Sequence, residues 1–369
     1  MENLKSIIPH NFQERFEKIC GINTYQPAIL PKVERIVVFG DIHGDLKLLL
    51  TLLKISKVVE FENYEYCLRN IKKLKIKEIK FKWIGGKTHI VQVGDQVDRC
   101  RKNGKGCKEI IEIDDEGNDE LILLLCNKIH KKAQKVGGAF ISLLGNHELM
   151  NASGDVSWVS RQGILKYVDV DNGETYEMGE EKRREAFKPT GEIGTLLGCT
   201  RLPSVIIGNN LFVHAGIINQ LLEEMNITEV NDLEIINKAI RGWLLGMINK
   251  DYVEKIINGS NSMFWTRLLG QLDSDISLKD SRCQELLSNV FTVFKNDNLI
   301  VIVGHTPQSF IKNKSLNGTC DNHVWRVDIG SSKAFNLLDK EYETEKKISN
   351  NRRPQVLEIL NDEKYNILD

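Results

Sequence analysis

Short apolar runs, each closed by a tight turn, recur along the chain. They read IVVFGDIHG at 36–44, IVQVGDQVDR at 90–99, ISLLGNHE at 141–148, LFVHAG at 211–216, and IVIVGHT ending at Thr306. Each run is rich in Val, Ile, Leu or Phe and stops at or one step before a glycine, as a buried strand does. LKLLLTLLKIS at 46–56 predicts a buried helix after the first turn, and ELILLLCNKIHKKAQKVG at 120–137 predicts a helix ending at Gly137. Asn11 to Ile19 predicts a short helix, after which Pro27 and Pro31 break the pattern. Alternation in KIKEIKFKWIGGKTHIVQV predicts two strands joined as a hairpin at Gly85-Gly86, with the Lys-rich 72–82 stretch as the polar face of a strand. Residues 100–119 are polar and Gly-containing and read as an exposed loop; 149–200 and 218–295 read as mainly helical. VWRVDIG at 324–330 reads as a last core strand and PQVLEIL at 354–360 as an edge strand. The alternation of strands and helices is that of an α/β chain.

With 369 residues, 41% of them hydrophobic, the chain can bury one large core, and the five motifs all fall between residues 40 and 306. We therefore expect one catalytic domain over 33–335, an N-terminal extension over 1–32 and a C-terminal extension over 336–369. Lys+Arg at 50 against Asp+Glu at 51 leaves a net charge of −1, which implies no global attraction to nucleic acid or to a membrane surface. The eight cysteines have neither paired zinc spacing nor the density of a disulfide scaffold, so reduced thiols in a cytoplasm-like compartment are the simpler expectation. Cys100 and Cys107, which flank a basic loop, are included in that expectation. No stretch has the length or apolarity of a signal peptide or a membrane span.

Chemistry enters at the strand ends. Asp41, His43, Asp95, Asn146, His214 and His305 offer oxygen and nitrogen donors without a thiolate, a set suited to Mn, Fe or Zn. Two such cations about 3.5–4 Å apart can clamp an in-line displacement at phosphorus and lower the pKa of a shared water. Asp41 and His43 alternate just beyond a strand, so a turn can direct both to one ion. Asp95 is the natural bridge, since a carboxylate has two oxygens to share, and Asn146, His214 and His305 complete the second ion. His147 follows a ligand directly and is placed to donate a proton to a leaving oxygen, with Asp98 to hold its imidazole. Arg99 offers a planar fork of donors for phosphate oxygens. His10, His89, His130 and His323 lie outside the motifs and read as structural or exposed.

The order GDIHG, GDQVDR, GNHE, HAG, GHT resembles the signature of the phosphoprotein phosphatase branch of the metallophosphoesterases, and with DIGSSKAF at 328–335 the likeness covers most of the chain. The resemblance implies a central β-sandwich flanked by helices, a dinuclear metal site at the strand ends, and the roles given above for the six ligands, His147 and Asp98. One departure bears on substrate: Leu144 stands before GNHE, where eukaryotic Ser/Thr members usually carry an arginine. LLGNHE and GHT are instead similar to the bacterial-type branch, which includes Shewanella-like phosphatases and diadenosine-tetraphosphatase-like enzymes. Segments typical of that branch are matched by Phe264-Trp265-Thr266-Arg267 and by Arg184 to Gly191, which makes Arg267 and Arg184 candidates for the missing phosphate contact. The expected activity is hydrolysis of a phosphoric ester with two divalent metal ions, Mn first and then Fe or Zn, on a phosphorylated protein or peptide, as a phosphatase of the serine/threonine type with tyrosine as the lesser option. The alternative is a dinucleoside polyphosphate or RNA-cap hydrolase. No motif identifies a regulatory subunit.

Overall fold

The computed structural model describes residues 4–102, 106–111, 114–338 and 350–369. Its strands are β1 (Ile29–Leu30), β2 (Arg35–Phe39), β3 (Val59–Phe61), β4 (Phe81–Trp83), β5 (His89–Gln92), β6 (Ala139–Leu143) and β7 (Arg201–Leu202). They continue as β8 (Ser204–Ile207), β9 (Asn210–Val213), β10 (Ile300–Val303), β11 (Asn317–Thr319), β12 (Val324–Arg326), β13 (Val356–Leu360) and β14 (Lys364–Leu368). Two mixed sheets result, in the orders β14-β13-β2-β5-β6-β7 and β1-β8-β9-β10-β12-β11. The strands β2, β5, β6 and β7 run parallel, as do β9, β10 and β12.

The apolar runs follow from burial on both faces of each sheet. In β2, Ile36 and Val38 point into the space between the sheets, where Val91, Ile141, Phe212, Ile302 and Trp325 meet them. Val37 and Phe39 point the other way, onto helices Leu46–Ile55 and Asp119–Ala133. Behind the second sheet, Leu211, Val213, Val301 and Val303 pack against helices Asn219–Met225, Asp232–Leu244 and Ser281–Phe294. The molecule is thus an α/β sandwich with helices on its outer faces. The helix predicted after residue 120 does stop at Gly137, which adopts φ 81° after a short 3-10 turn.

Several expectations are corrected. Strands β4 and β5 do not form a hairpin at Gly85-Gly86: β4 pairs with β3 in a separate ribbon, while β5 lies between β2 and β6. The ribbon suits β4, which buries Phe81 and exposes Lys82, whereas Ile90 and Val91 of β5 are buried on both faces. Upstream, Ile71–Lys73 and Ile76–Glu78 are 3-10 turns, not strand. In the 100–119 segment, Cys107, Asp115, Glu116, Asn118 and Asp119 are buried, because their polar groups find partners inside. Asp115 accepts from the Ser160 hydroxyl at 2.8 Å, and Glu116 pairs with Lys333 at 2.9 Å. Residues 103–105 and 112–113 of that segment lie outside the described residues. The strand at 354–360 is not an edge: β13 sits between β2 and β14, and β14 is the edge.

The expectation of reduced thiols fails at six positions. Disulfides join Cys20 to Cys199, Cys100 to Cys107 and Cys283 to Cys320, leaving Cys67 and Cys126 free and buried. Two of these pairs join elements 179 and 37 residues apart in sequence, a proximity that spacing does not encode. Among the described residues no helix is long and apolar enough to cross a membrane.

Candidate active site

Every motif ends at the C-terminal edge of a parallel strand, and those edges meet. The sheet containing β2, β5 and β6 delivers Asp41, His43, Asp95 and Asn146; the other delivers His214 after β9, His305 after β10 and Asp328 after β12. Three of these residues hold left-handed backbone, His43 at φ 48°, Asp95 at 52° and His305 at 64°, as does Asp98 at 67°. Such conformations cost non-glycine residues about 1–3 kcal/mol each and persist only where the surroundings enforce them. Here the enforcement is a backbone network. The amides of Ile42 and His43 both donate to the Asp95 carbonyl at 2.9 Å. The buried Glu148 carboxylate accepts from the amides of Gly145 at 2.7 Å, Asp95 at 2.9 Å, Gln96 at 2.7 Å and Val97 at 3.2 Å. Gly145 is required beside it, since a Cβ there would stand 2.1 Å from an Asp95 carboxylate oxygen.

The side chains converge on Asp95. Donor atoms of His43, Asp95 and His147, and likewise of Asp95, His214 and His305, lie within 4.8 Å of one another, so two buried clusters share one carboxylate. Asp41 is 3.8 Å from His43 Nε2 and accepts from the His305 amide at 3.1 Å. Backbone carbonyls set the imidazole tautomers, because a carbonyl can only accept. His214 Nδ1 donates to Val93 at 2.9 Å, His43 Nδ1 to Val97 at 3.2 Å and His305 Nε2 to Trp265 at 3.1 Å. Neutral His214 then presents a lone pair at Nε2, 2.9 Å from Asn146 Oδ1 and 3.3 Å from Asp95 Oδ2. Three electron-pair donors facing one point are reconciled by a shared metal ion, or by a proton on His214 Nε2.

Titration shows how strongly this site attracts positive charge, a proton included. Burial disfavours the charged His214, yet the Asp95 carboxylate raises its pKa. Burial, followed by the charges of Asp328 and Asp95, pushes Asp41 well above the carboxylate range. Asp328 is pushed up to about 6, first by burial and then by Asp95, and its Oδ2 has no hydrogen-bond partner among the described residues. The donor set therefore fits two divalent cations. Asp41, His43 and Asp95 would hold one of them, and Asp95, Asn146, His214 and His305 the other.

Above the clusters opens a cleft of about 220 Å³, whose walls include Trp158, Trp265, Met150, Pro307 and Phe335. His147 reaches it from the first turn of helix Asn146–Ala152. Its Nδ1 is 2.8 Å from Asp98 Oδ2, which leaves Nε2 turned toward Asp95 at 4.0 Å. Asp98 is fully buried and fixed by Asn151, whose amide nitrogen donates to both carboxylate oxygens at 2.9 Å, and by Arg183 at 3.3 Å. Arg183 also pairs with Asp119 at 2.7 Å and donates to Asn151 Oδ1 at 2.8 Å.

The arginines named from sequence land in three different places. Arg267 lines the cleft, with Nη1 donating to the His305 carbonyl at 2.7 Å. Arg184 does not line it. That side chain bonds the Gly154 carbonyl at 3.1 Å and pairs with Glu180 one helical turn away. Arg99 is also outside the cleft wall, 1% exposed, with Nη2 on the Asp114 carbonyl at 3.0 Å and its carboxylate at 3.2 Å. Sequence reasoning did not single out their neighbours: Arg101 lines the cleft where Arg99 does not, and Arg183, next to Arg184, is buried behind the cleft on Asp98 and Asp119. Helical phase held a usable signal for the second pair. On helix Tyr176–Phe187, Arg183 shares the buried face with Gly179 and Phe187. Asn151 and Glu148 sit on the helix that begins at GNHE, on turns that face the second motif.

A family model for calcineurin-like phosphoesterases matches residues 34–329. An uncharacterized protein of Acanthamoeba polyphaga mimivirus is 34% identical over 260 residues, covering 67% of this chain and 98% of its own. Shewanella-like protein phosphatase 2 of Arabidopsis thaliana is 26% identical over 335 residues, covering 82% of this chain and 72% of its own. Among solved structures, the cold-active protein-tyrosine phosphatase of a psychrophilic Shewanella superposes with a TM-score of 0.60 at 19% identity, covering 93% of this chain and 83% of that one. The matched span contains all six donor residues, Asp98 and His147, and the chain belongs to the calcineurin-like phosphoesterase family as a metallophosphoesterase of phosphatase type.

Proposed function

We propose that the chain is a protein phosphatase that hydrolyses phosphomonoesters on protein or peptide side chains, using the Asp95 clusters and the His147–Asp98 pair. When bound, two divalent ions, Mn foremost among those the donors suit, would polarise the phosphoryl group and activate a water for in-line attack. The observation that carries the reading is His147: Nδ1 is committed to Asp98 at 2.8 Å, so the other ring nitrogen is free to hand a proton to the departing oxygen. Asp98 in turn fixes the orientation of the ring, and Asn151 and Arg183 keep Asp98 from rotating away. Arg267 offers a cation at the mouth of the cleft.

Size favours a protein side chain over a dinucleotide. A cavity of about 220 Å³ is smaller than the roughly 300–1,000 Å³ of typical small-molecule pockets, yet a phosphorylated side chain needs only its tip inside. The relatives named as protein phosphatases support the same choice. The second reading, a dinucleoside polyphosphate or RNA-cap hydrolase, draws on the aromatic walls Trp158, Trp265 and Phe335, on which a base would stack. Those walls suit the ring of phosphotyrosine equally. The deciding experiment offers the Mn-loaded protein phosphoserine, phosphothreonine and phosphotyrosine peptides, diadenosine tetraphosphate and capped RNA. Phosphate release from the peptides, with both nucleotides left intact, is expected. Cleavage of the nucleotides alone would overturn the assignment in favour of the second reading.

A further inference from the structure

We propose that Arg101, two residues past the arginine of the second motif, is the group that grips the substrate phosphate, and that Arg99 serves the fold. The inference rests on the phosphatase reading and assigns a residue within it. Arg99 is occupied: its guanidinium is buried against the carbonyl and carboxylate of Asp114, and swinging it into the cleft would leave that pairing broken. Arg101 is differently placed. It lines the cleft beside His43, Asp95 and His147, and the charges that act on it most are Asp95, which lines the cleft, and the buried Asp98, Asp41 and Asp328.

Its orientation is fixed on two sides. The guanidinium lies 4.7 Å over the ring of Phe335, and that ring meets His43 edge-on at 5.4 Å, so one aromatic side chain separates Arg101 from a donor residue. Nη1 donates to the carbonyls of Asp98 at 3.0 Å and Cys100 at 2.7 Å, which sets the plane of the fork. The Cys100–Cys107 disulfide and the 3.1 Å bond from the Cys100 amide to the Trp158 carbonyl hold the backbone that carries it. Among the described residues, Nε and Nη2 make no hydrogen bond and no carboxylate lies within 4.0 Å of the guanidinium. A residue 7% exposed, charged, with no carboxylate in direct contact and two guanidinium nitrogens unbonded beside a cleft, has an oxyanion such as phosphate as its natural partner.

The test uses the full-length, Mn-loaded protein and the variants Arg101→Ala, Arg101→Lys and Arg99→Ala. It reads KM for 4-nitrophenyl phosphate, the equilibrium affinity for inorganic phosphate and the bound Mn. Arg101→Ala should weaken phosphate binding and raise KM by about ten- to hundredfold with Mn content unchanged. Arg101→Lys should recover part of the loss, because an ammonium restores the charge and not the fork. Arg99→Ala should lower the melting temperature while leaving phosphate affinity as in the wild type. Unchanged phosphate affinity in Arg101→Ala, or a loss confined to Arg99→Ala, would overturn the assignment. If the wild type turns over no ester at all, the phosphatase reading falls, and phosphate affinity still decides between the two arginines.

Discussion

The base of the cleft and its arginine-bearing rim are built differently. At the base, each chemical group sits within a few residues of a paired strand, and its backbone is pinned by bonds such as those from Ile42 and His43 to the Asp95 carbonyl. Sheet register fixes where those residues end up, and left-handed backbone at His43, Asp95 and His305 aims them inward. Along the rim Arg101 hangs on a disulfide-closed loop and Arg267 on an irregular segment, while Arg183 is held on a helix, buried behind the cleft on Asp98 and Asp119. Which neighbour of an arginine pair faces the site then depends on helical phase and loop partners. Position in the sheet places the donor clusters, and local packing places the arginines.

The contrast can be broken most forcefully at its base. Asp95→Asn removes the carboxylate common to both clusters, and activity should fall by about a thousandfold or more, the scale of the charge stabilisation two cations supply. Bound Mn should fall with it, and the rise in melting temperature that Mn gives the wild type should vanish. Retention of the wild-type Mn content by this variant would separate Asp95 from the metals. On helix Tyr176–Phe187, adjacent residues should differ sharply in urea unfolding. Arg183→Met leaves Asp98 and Asp119 buried without their cation and should cost about 3–5 kcal/mol. Arg184→Ala removes a part-exposed pair within one helix and the bond to the Gly154 carbonyl, and should cost about 1 kcal/mol or less. Equal losses would mean that the buried Arg183 network contributes nothing special.

The sequence carried the base of the site well because strand ends are local features. A buried run, a glycine and a donor residue already specify where Asp41, Asp95, Asn146, His214 and His305 stand relative to the sheet, and family order supplies the rest. What it did not carry is non-local. The pairing of β4 with β3 instead of β5 depends on which faces are buried, and the placement of β13 inside the sheet depends on β14, which no pattern announced. Cys20 and Cys199 meet only because the helices bearing them, Phe12–Cys20 and Glu192–Thr200, come together in the folded chain. The polar 100–119 segment looked solvated because composition cannot tell a carboxylate in water from one bonded to Ser160 or Lys333. Where Arg99 and Arg184 point, away from the cleft, was not legible for the same reason: partners elsewhere in the chain decide it, Asp114 and the Gly154 carbonyl among them.

His147 joins the two regions, since it rises from the GNHE turn and faces the substrate space. The most direct test of the account compares wild type with His147→Asn on two esters, 4-nitrophenyl phosphate, whose leaving group departs unprotonated, and a phosphoserine peptide, whose alkoxide needs a proton. The account predicts a loss of about 10²–10⁴-fold on the peptide, a far smaller loss on the nitrophenyl ester, and unchanged bound Mn. Equal losses on both esters with Mn retained would contradict proton donation by His147.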